Sequence, residues 1–288
     1  MARILPRQAY ATYGGQFPRS HPAAPNDAIV TGGLLAWWTM DVEDCNFVTA
    51  RMLDRSGNNN PLTLNNLTAA ALVDGQINKA MSFNGSTQYC QAAVSTQTAV
   101  VAYSVSAWFK TTGTGIQAIV NDRGSTGQGL NLWVDGDFGG TSGAPQWAVG
   151  GSGLEIGVKT TATFKDGFWH HIVGTWSAAS GASIANSQFL IYVDGAKQAT
   201  SNVSAGSATS PLSGNGGTFV GTQSGSDLFT GSLDDIRIYN RVLDQGEVLA
   251  LYAAGLAGMG YWSGLGLLAP APATSILAPQ RTLVGVGT

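Results

Sequence analysis

The stretch GSLDDIRIYNRVLDQGEV, residues 231–248, concentrates charge in a chain that carries little of it. Asp, Glu, Lys and Arg make up 11% of the 288 residues, against about 25% in an ordinary globular domain. Strand alternation places Asp234 in phase with Ile236. Asp235 and Arg237 face the other way. One carboxylate is therefore predicted to point toward the apolar side, where it needs an ionic partner, hydrogen-bond donors or a metal.

The second half of the same stretch predicts a helix. Asp244 is placed as the N-cap and Glu247 follows three residues later, which is the capping-box spacing. An apolar face follows over residues 248–252, and Gly255 is predicted to end the helix. No other segment of the sequence has both a cap and a helical apolar period.

Strands dominate the rest of the pattern. The 39 glycines and the Asp-Gly and Asn-Gly pairs indicate many tight turns, and such pairs favour antiparallel hairpins. Seven further segments read as strands: 34–41, 80–85, 103–110, 129–136, 168–176, 189–195 and 217–222.

Composition divides the chain into three zones. Residues 1–32 form a proline-rich extended arm, residues 33–255 carry the periodic β pattern, and residues 256–288 form an apolar Gly/Ala/Pro tail. We therefore predict one all-β domain with one short C-terminal helix and extended arms at both ends.

The ordered set of motifs resembles the laminin-G-like, concanavalin A-like jelly-roll domains. It comprises LLAWWTMD (34–41), LDRSGNNNPLTL (53–64), INKAMSFNGSTQYCQA (77–92), YSVSAWFK (103–110), FWHHIVGTW (168–176), LIYVDG (190–195) and FTGSLDDIRIYNRVLDQGEVLALY (229–252). The resemblance spans about residues 34–254. It implies a two-sheet antiparallel jelly-roll sandwich, with the first and last strands adjacent and a calcium ion near the rim.

The resemblance also implies where calcium would bind. Carried onto this sequence, the ligands are Asp54, Asn58 and Asp234, with Asn60 as a further oxygen donor. Such oxygen ligands suit calcium. A second interpretation stays open: Asp54 and Asn58 form an Asx-type turn, and Asp234 accepts backbone hydrogen bonds from that loop without any ion.

The sequence offers no catalytic constellation. Glucanases of this fold need at least two carboxylates from one strand, in a pattern such as ExDxxE, but Glu43, Glu155 and Glu247 lie far apart. His170 and His171 are adjacent, so they face opposite sides of a predicted strand, and no serine or cysteine motif accompanies them. We predict a protein that is not an enzyme.

Charge, apolar runs and cysteines exclude other classes. The net charge of −3 and pI near 5.5 give no basic face for nucleic acid. No apolar run approaches the roughly 18 residues of a membrane span, and no secretory signal is apparent. Cys45 and Cys90 are too few for a disulfide scaffold, although a single bridge between them stays open.

Jelly rolls of this kind commonly bind carbohydrates. Trp133 and Trp147 lie outside the strongest core patterns, as does Trp262, so they are predicted to be exposed and to stack on sugar rings. The alternative is that all eight tryptophans pack structurally.

The two arms suggest assembly. The C-terminal tail is apolar, nearly uncharged and too rich in glycine and proline to fold alone, and the N-terminal arm is rich in proline. Both are predicted to lie against neighbouring subunits. The assembly contacts predicted from the arms are Arg3, Arg7, Tyr261, Trp262, Leu267 and Leu268.

These features together predict a non-catalytic structural protein of a bacteriophage virion, a capsid decoration or tail component made in the host cytoplasm and able to bind glycans. One alternative is a free, extracellular or cell-surface carbohydrate-binding module. Another is a homo-oligomer that exchanges its tails between protomers.

Overall fold

A computed structural model describes residues 30–122, 128–135, 143–151, 153–214 and 216–258. These residues form eighteen strands and one α-helix, α1 (Gln245–Gly258), together with 3-10 turns at Val42–Asp44, Ala69–Ala71 and Asn186–Gln188. In chain order the strands are β1 (Leu34–Trp38), β2 (Cys45–Asn46), β3 (Arg51–Met52), β4 (Leu62–Asn65), β5 (Leu72–Asp74), β6 (Lys79–Asn84), β7 (Tyr89–Ala92), β8 (Ala102–Lys110), β9 (Gln117–Asn121), β10 (Gly129–Val134), β11 (Pro145–Gly151), β12 (Leu154–Thr160), β13 (His170–Ser177), β14 (Phe189–Val193), β15 (Ala196–Lys197), β16 (Thr200–Ala205), β17 (Phe219–Val220) and β18 (Thr230–Tyr239).

The strands form two antiparallel sheets packed face to face. One has eight strands in the order β15-β14-β13-β8-β18-β6-β5, with β1 also paired to β18. The other has ten, in the order β16-β12-β11-β10-β9-β17-β7-β4-β3-β2. The predicted all-β antiparallel sandwich and the adjacency of the first and last strands are confirmed. All seven segments read as strands from the sequence contain strands.

The core lies between the two sheets. Leu132, Val149 and Ile156 project from the ten-stranded sheet, and Val105 and Ile172 from the eight-stranded sheet, into one buried apolar cluster. Burial of such side chains is the main force that holds two sheets together. Each sheet also has an outer face, and the two outer faces differ in what covers them.

Helix α1 covers part of the outer face of the eight-stranded sheet. Its Val248 and Leu251 pack against Val173 and Tyr192, in a second buried cluster that also holds Val30.

No helix within the described part of the chain is long and apolar enough to cross a membrane.

The helix begins with the predicted capping box. The backbone N–H of Glu247 donates to Asp244 Oδ1 at 2.9 Å, and the backbone N–H of Asp244 donates to Glu247 Oε2 at 3.0 Å. Arg241 also donates two hydrogen bonds to the Glu247 carboxylate, each 2.7 Å. The start of the helix was therefore predictable from residue types and spacing alone.

The predicted end of the helix is wrong. Gly255 lies inside α1 and does not terminate it, because the helix continues to Gly258. A Cβ atom at Gly255 would lie only 2.3 Å from Cζ2 of Trp108 on strand β8. Glycine at this position therefore allows the helix to lie directly on the indole ring. The sequence does not distinguish this packing role of glycine from its common role at the end of a helix.

The predicted orientation of Asp234 is also wrong. The pairing of β18 with β8 shifts register between Asp234 and Arg237, and Asp235 has a φ of 44°. Leu233 and Ile236 both face the inner core as a result. Asp234 therefore lies on the outer face, opposite to Ile236, because a β-bulge interrupts the alternation.

The second carboxylate of the pair behaves as predicted. Asp235 Oδ1 accepts a hydrogen bond from Arg237 at 3.1 Å. The same oxygen accepts one from Trp37 Nε1 at 2.7 Å, and the Arg237 guanidinium lies 4.2 Å from the centre of the Trp37 ring. These contacts tie strand β1 to strand β18.

Both cysteines, Cys45 and Cys90, are free thiols, which settles the bridge left open by the sequence.

The two adjacent histidines face opposite sides of β13, as predicted. His171 is buried on the outer face beneath α1, where its Nε2 lies 2.9 Å from Ser106 Oγ. Burial lowers the pKa of His171 to about 4, so the ring is neutral at physiological pH. Its ring stacks on Tyr252 of the helix and packs against Trp108.

His170 joins two loops at one end of the sandwich. Its Nδ1 lies 2.8 Å from Asp194 Oδ2, and its Nε2 lies 3.1 Å from Asp166 Oδ1. Partial burial acts to lower the pKa of His170, but the hydrogen bonds and charges of Asp194 and Asp166 outweigh it and raise the pKa above its usual value. A protonated His170 therefore stabilises the folded loops.

We expect Gly255→Ala to destabilise the protein by about 1–3 kcal/mol, although alanine favours helices by about 1 kcal/mol, because the added methyl group collides with the Trp108 ring. Urea unfolding measures the difference. Gly246→Ala, at an exposed position in the first turn of the same helix, is the control and should be close to neutral. Equal behaviour of the two variants would contradict the proposed contact.

We expect the stabilisation by His170 to depend on pH. Because its folded pKa is raised, the contribution is complete below the ordinary pKa of 6.5 and is lost as pH rises through the folded value. The difference in melting temperature between the wild type and His170→Asn should therefore be larger at about pH 5.5 than at about pH 8.5. A difference that does not change with pH would show that the charge of His170 does not contribute.

Candidate functional site

Three of the four residues predicted to bind calcium lie in one turn. Asp54 Oδ1 accepts hydrogen bonds from the backbone N–H of Trp37 (2.9 Å) and of Ser56 (2.8 Å). Its Oδ2 accepts from Ser56 Oγ (2.8 Å) and from the backbone N–H of Asn60 (2.9 Å). Asp54 thus forms an Asx-type turn with four donors on its carboxylate, which agrees with the interpretation that needs no metal.

The two asparagines of this turn hold strand β1. The side-chain amides of Asn58 and Asn60 donate to backbone carbonyls of β1, at Leu34 (2.8 Å) and Leu35 (2.9 Å) respectively. Asp234, the fourth predicted ligand, contacts a different turn. Within the described ranges no group of three or more His, Cys, Asp or Glu residues is arranged to hold a metal. Calcium binding at these residues stays a prediction.

Asp234 and Asp41 together hold the turn between β5 and β6. Asp234 Oδ2 accepts the backbone N–H of Ile77 at 2.8 Å, and Asp41 Oδ1 accepts that of Lys79 at 2.9 Å. Burial raises the pKa of Asp234 well above its usual range and that of Asp41 to about 6. The buried carboxylate anticipated from the sequence therefore exists, but Asp234 accepts the backbone N–H of Ile77 and not a donor of the Asp54 turn.

The tryptophans predicted to be exposed are buried. Trp147 is 0% exposed and stacks on Tyr103 inside the core, with ring centres 6.5 Å apart. Trp133 is 4% exposed and packs between Ala118 and Ala148 on the outer face of the ten-stranded sheet. The prediction for Trp147 failed because β11 was not recognised as a strand, although it lies in the interior of that sheet. Trp133 lies in the recognised strand β10, but its ring is buried against Ala118 and Ala148 on the outer face. Neither indole presents an open face on which a sugar ring could stack.

The remaining predicted site residues fall in the two arms. Trp262 and the predicted assembly contacts Arg3, Arg7, Tyr261, Leu267 and Leu268 lie outside the described residues. Their roles stay predictions.

Polar side chains lie in one row across the outer face of the ten-stranded sheet, and the buried Phe219 interrupts the row. Strand pairing places Thr63 opposite Gln91 and Asn121 opposite Asn131. Phe219 of β17 lies between Gln91 and Asn121 and pairs with both. Arg51 pairs with Thr63 at the far end of the row. We call the following side chains of this surface the polar face: Arg51, Thr63, Tyr89, Gln91, Asn121, Asn131, Trp133 and Gln146.

The half of the polar face on β3, β4 and β7 is accessible. Arg51 and Thr63 are exposed, and Tyr89 and Gln91 are partly exposed. Tyr89 is two residues from Gln91, so both side chains emerge on the same side of β7. An aromatic ring, an amide, a hydroxyl and a guanidinium are therefore grouped on one surface, where they can combine ring stacking with hydrogen bonding.

The half of the polar face on β9, β10 and β11 is buried. Asn121, Asn131 and Gln146 are each 0% exposed. Asn131 Oδ1, Trp133 Nε1 and Gln146 Oε1 have no hydrogen-bond partner. Buried polar atoms are nearly always paired, so three unpaired atoms on neighbouring positions are unusual.

Sequence reasoning missed the polar face. The signal was partly present, because LTLN (62–65) and YCQA (89–92) alternate core residues with Thr63 and Gln91. What the sequence lacks is the order of the strands. Thr63, Gln91 and Asn121 meet because β4 pairs with β7 and β7 with β17, whereas β17 follows β9 by nearly 100 residues.

Comparison with solved structures shows the same fold in several proteins. Domain 4 of AbnA, an extracellular arabinanase from Geobacillus stearothermophilus in complex with arabinotriose, is similar with a TM-score of 0.53 and 21% identity, over 76% of this chain and 98% of that chain. A sialidase from Trypanosoma rangeli in complex with the inhibitor DANA gives a TM-score of 0.52 at 17% identity, over 78% of this chain and 33% of that chain.

The receptor-binding domain of a botulinum neurotoxin C/D mosaic serotype is similar with a TM-score of 0.52 and 12% identity, over 78% of this chain and 52% of that chain. The chain thus spans about a third of the sialidase and about half of the neurotoxin domain. At these identities the similarity establishes the fold alone.

No curated protein matches the sequence significantly. A family model described as the concanavalin A-like lectin/glucanases superfamily, Laminin_G_3, matches residues 84–249, which is more than half of the chain. The match includes β7 to β18 and the start of α1, and it agrees with the resemblance drawn from the sequence motifs. This chain belongs to the Laminin_G_3 family of the concanavalin A-like lectin/glucanases superfamily.

Proposed function

We propose that this protein binds carbohydrate on the polar face and does so without catalysis. The observation that carries the proposal is the group of accessible hydrogen-bonding side chains Arg51, Thr63 and Gln91, which strand pairing holds in register beside the partly exposed ring of Tyr89. Sugar sites combine an aromatic ring with a few fixed amides and hydroxyls, because a sugar presents both an apolar face and a ring of hydroxyl groups.

The comparisons support the ligand class. The arabinanase domain was solved with arabinotriose, and the sialidase with sialic acid. Both are sugar complexes of proteins that share this sandwich.

The side chains of the polar face favour binding over hydrolysis. Glycoside hydrolysis uses two carboxyl groups about 5–9.5 Å apart on either side of the bond that breaks. Among the described strand residues on the outer face of the ten-stranded sheet, Glu155 of β12 is the single carboxylate. Its side chain accepts a hydrogen bond from Gln146, so it is already engaged.

We expect Tyr89→Ala to lower the affinity for glycan about tenfold or more, because the accessible half of the polar face loses the aromatic ring on which a sugar can stack. Binding of the full chain to a panel of neutral and sialylated oligosaccharides, by calorimetry, measures the effect. Phe168→Ala is the matched control: Phe168 is an aromatic residue 71% exposed in the loop between β12 and β13, outside the polar face. It should bind as the wild type does.

Loss of binding in both variants, or in neither, would contradict a site on the polar face. Gln91→Ala provides a second probe of the same surface. Gln91 is partly exposed, so Gln91→Ala should weaken glycan binding. The variant also loses the hydrogen bond from Gln91 Nε2 to the Gly216 carbonyl (3.0 Å), which should lower the free energy of unfolding by only about 1 kcal/mol.

We further propose that the protein is a subunit of a larger assembly. One described feature favours this. Leu249 and Leu256 of α1 are 52% and 45% exposed, and no charged residue follows Glu247 in the helix. Helices that are apolar on every side are usually covered. The finer prediction, a bacteriophage virion, is supported by the composition of the arms alone.

Removal of residues 1–29 and 259–288 tests assembly. We expect the truncated chain to keep its melting temperature, because the sheets and α1 are intact, but to lose incorporation into particles. Sedimentation of the full and truncated chains, expressed with the other proteins of the particle, measures incorporation. Equal incorporation of both chains would contradict a role for the arms.

A further inference from the structure

The outward side of helix α1 is apolar over most of its length. Leu249 and Leu256 are 52% and 45% exposed. Gly246, Ala253 and Ala257 are exposed as well. These positions lie on one side of the helix, because residues three, four and seven positions apart share a side. The exposed residues of α1 after its first residue therefore include no polar side chain.

This surface restricts what can cover it. The backbone N–H and C=O groups of a helix bond mainly to one another, and the exposed side chains of α1 supply no donor or acceptor. An extended or irregular segment lying here would bury its own backbone polar groups without hydrogen-bond partners, which costs free energy. A helix satisfies its own backbone groups. The partner that fits best is therefore an α-helix with an uncharged, apolar side.

The chain itself supplies such a helix. α1 is the single α-helix of the described residues, and no charged residue follows Glu247 in it. Contact between two copies of α1 thus buries apolar surface on both sides and places no charge between them. The charges at the start of the helix do not oppose this contact, because Arg241 and Glu247 form a salt bridge with each other at 2.7 Å.

The spacing of the two leucines suits a two-fold axis. In a two-fold contact the same patch of both copies must be complementary to itself. Leu249 and Leu256 lie on either side of Ala253 along the helix. An axis beside Ala253 that relates two antiparallel helices places Leu249 of one copy beside Leu256 of the partner subunit, and it does so twice. The small side chain of Ala253 lets the two helices approach closely where they cross.

We propose that two copies of this chain pair through α1, antiparallel about a two-fold axis at Ala253. This pairing rests on the proposed assembly for its role, and it names the partner at one surface of the subunit. α1 lies on the eight-stranded sheet, so the pair leaves the polar face of the other sheet free in both copies.

A pair of single helices makes a weak interface. With 14 residues, α1 is about 21 Å long and about 10 Å wide. The contact therefore buries less than the roughly 1,200 Å² of a stable complex, and free copies are expected to associate in the micromolar range or more weakly. Subunits held side by side in an assembly reach effective concentrations near millimolar, which is enough to populate such a pair.

Single cysteines locate the axis. With helix axes about 8–10 Å apart, the two Cα atoms at position 253 lie about 5 Å from each other, within reach of a disulfide. The two Cα atoms at position 257 are separated by about 12 Å along the helices, beyond that reach. We expect Ala253→Cys of the full chain to form linked dimers on oxidation with copper phenanthroline, measured by non-reducing electrophoresis. Ala257→Cys and the wild type should not.

Charge placed on the helix tests the contact by a second route. Leu249→Glu and Leu256→Glu should each weaken pairing of the full chain about tenfold or more, because a carboxylate is buried without a partner. Sedimentation equilibrium measures the association. Val94→Glu is the matched control, since Val94 is 62% exposed in the loop between β7 and β8, and it should pair as the wild type does. An unchanged melting temperature at low concentration shows that each variant is folded.

The pair and the assembly can fail separately. Equal linking at positions 253 and 257, or equal association of the Leu249→Glu and Val94→Glu variants, refutes the pair. A full chain that stays monomeric at every concentration but enters particles also refutes the pair and leaves the assembly standing. A chain that pairs through α1 but enters no particle supports the pair, and the proposed assembly then fails.

Discussion

The bulge at Asp235 in strand β18 is the constraint on which the eight-stranded sheet depends. This strand pairs with β1, β6 and β8, so its shape sets the position of three neighbours. The bulge turns Asp234 outward to the β5–β6 turn and leaves Asp235 bonded to Trp37 and Arg237. A chain with few charges places several of them here because each carboxylate joins two segments that are far apart in sequence.

Local patterns predicted the elements whose cause is local. The capping box of α1 needed only Asp244 and Glu247, and the hairpin between β14 and β15 needed only the Asp194-Gly195 pair, whose residues both have positive φ. The bulge could not be foreseen, because a single residue with φ of 44° at Asp235 reverses the alternation without changing the residue pattern. Trp147 was misplaced for a related reason: β11 is buried on both faces, so its sequence does not alternate.

The candidate site was less predictable than the fold. Thr63, Gln91 and Asn121 are ordinary polar positions of three separate strands, and only the strand order of the ten-stranded sheet brings them into one row. The calcium prediction shows the opposite case. Asp54, Asn58 and Asn60 do lie together, but their hydrogen bonds to β1 give them a structural role that residue types alone did not distinguish from ligation.

The first described residue, Val30, and the last element, α1, lie on the same side of the domain. Val30 and helix α1 belong to one apolar cluster on the outside of the eight-stranded sheet, whereas the polar face is the outside of the other sheet. A copy that contacts a support through Val30 and α1 would therefore turn its polar face away from that support. Many copies fastened to one support would all present that face in the same direction, and weak contacts with a polymeric ligand would add up to a strong collective one.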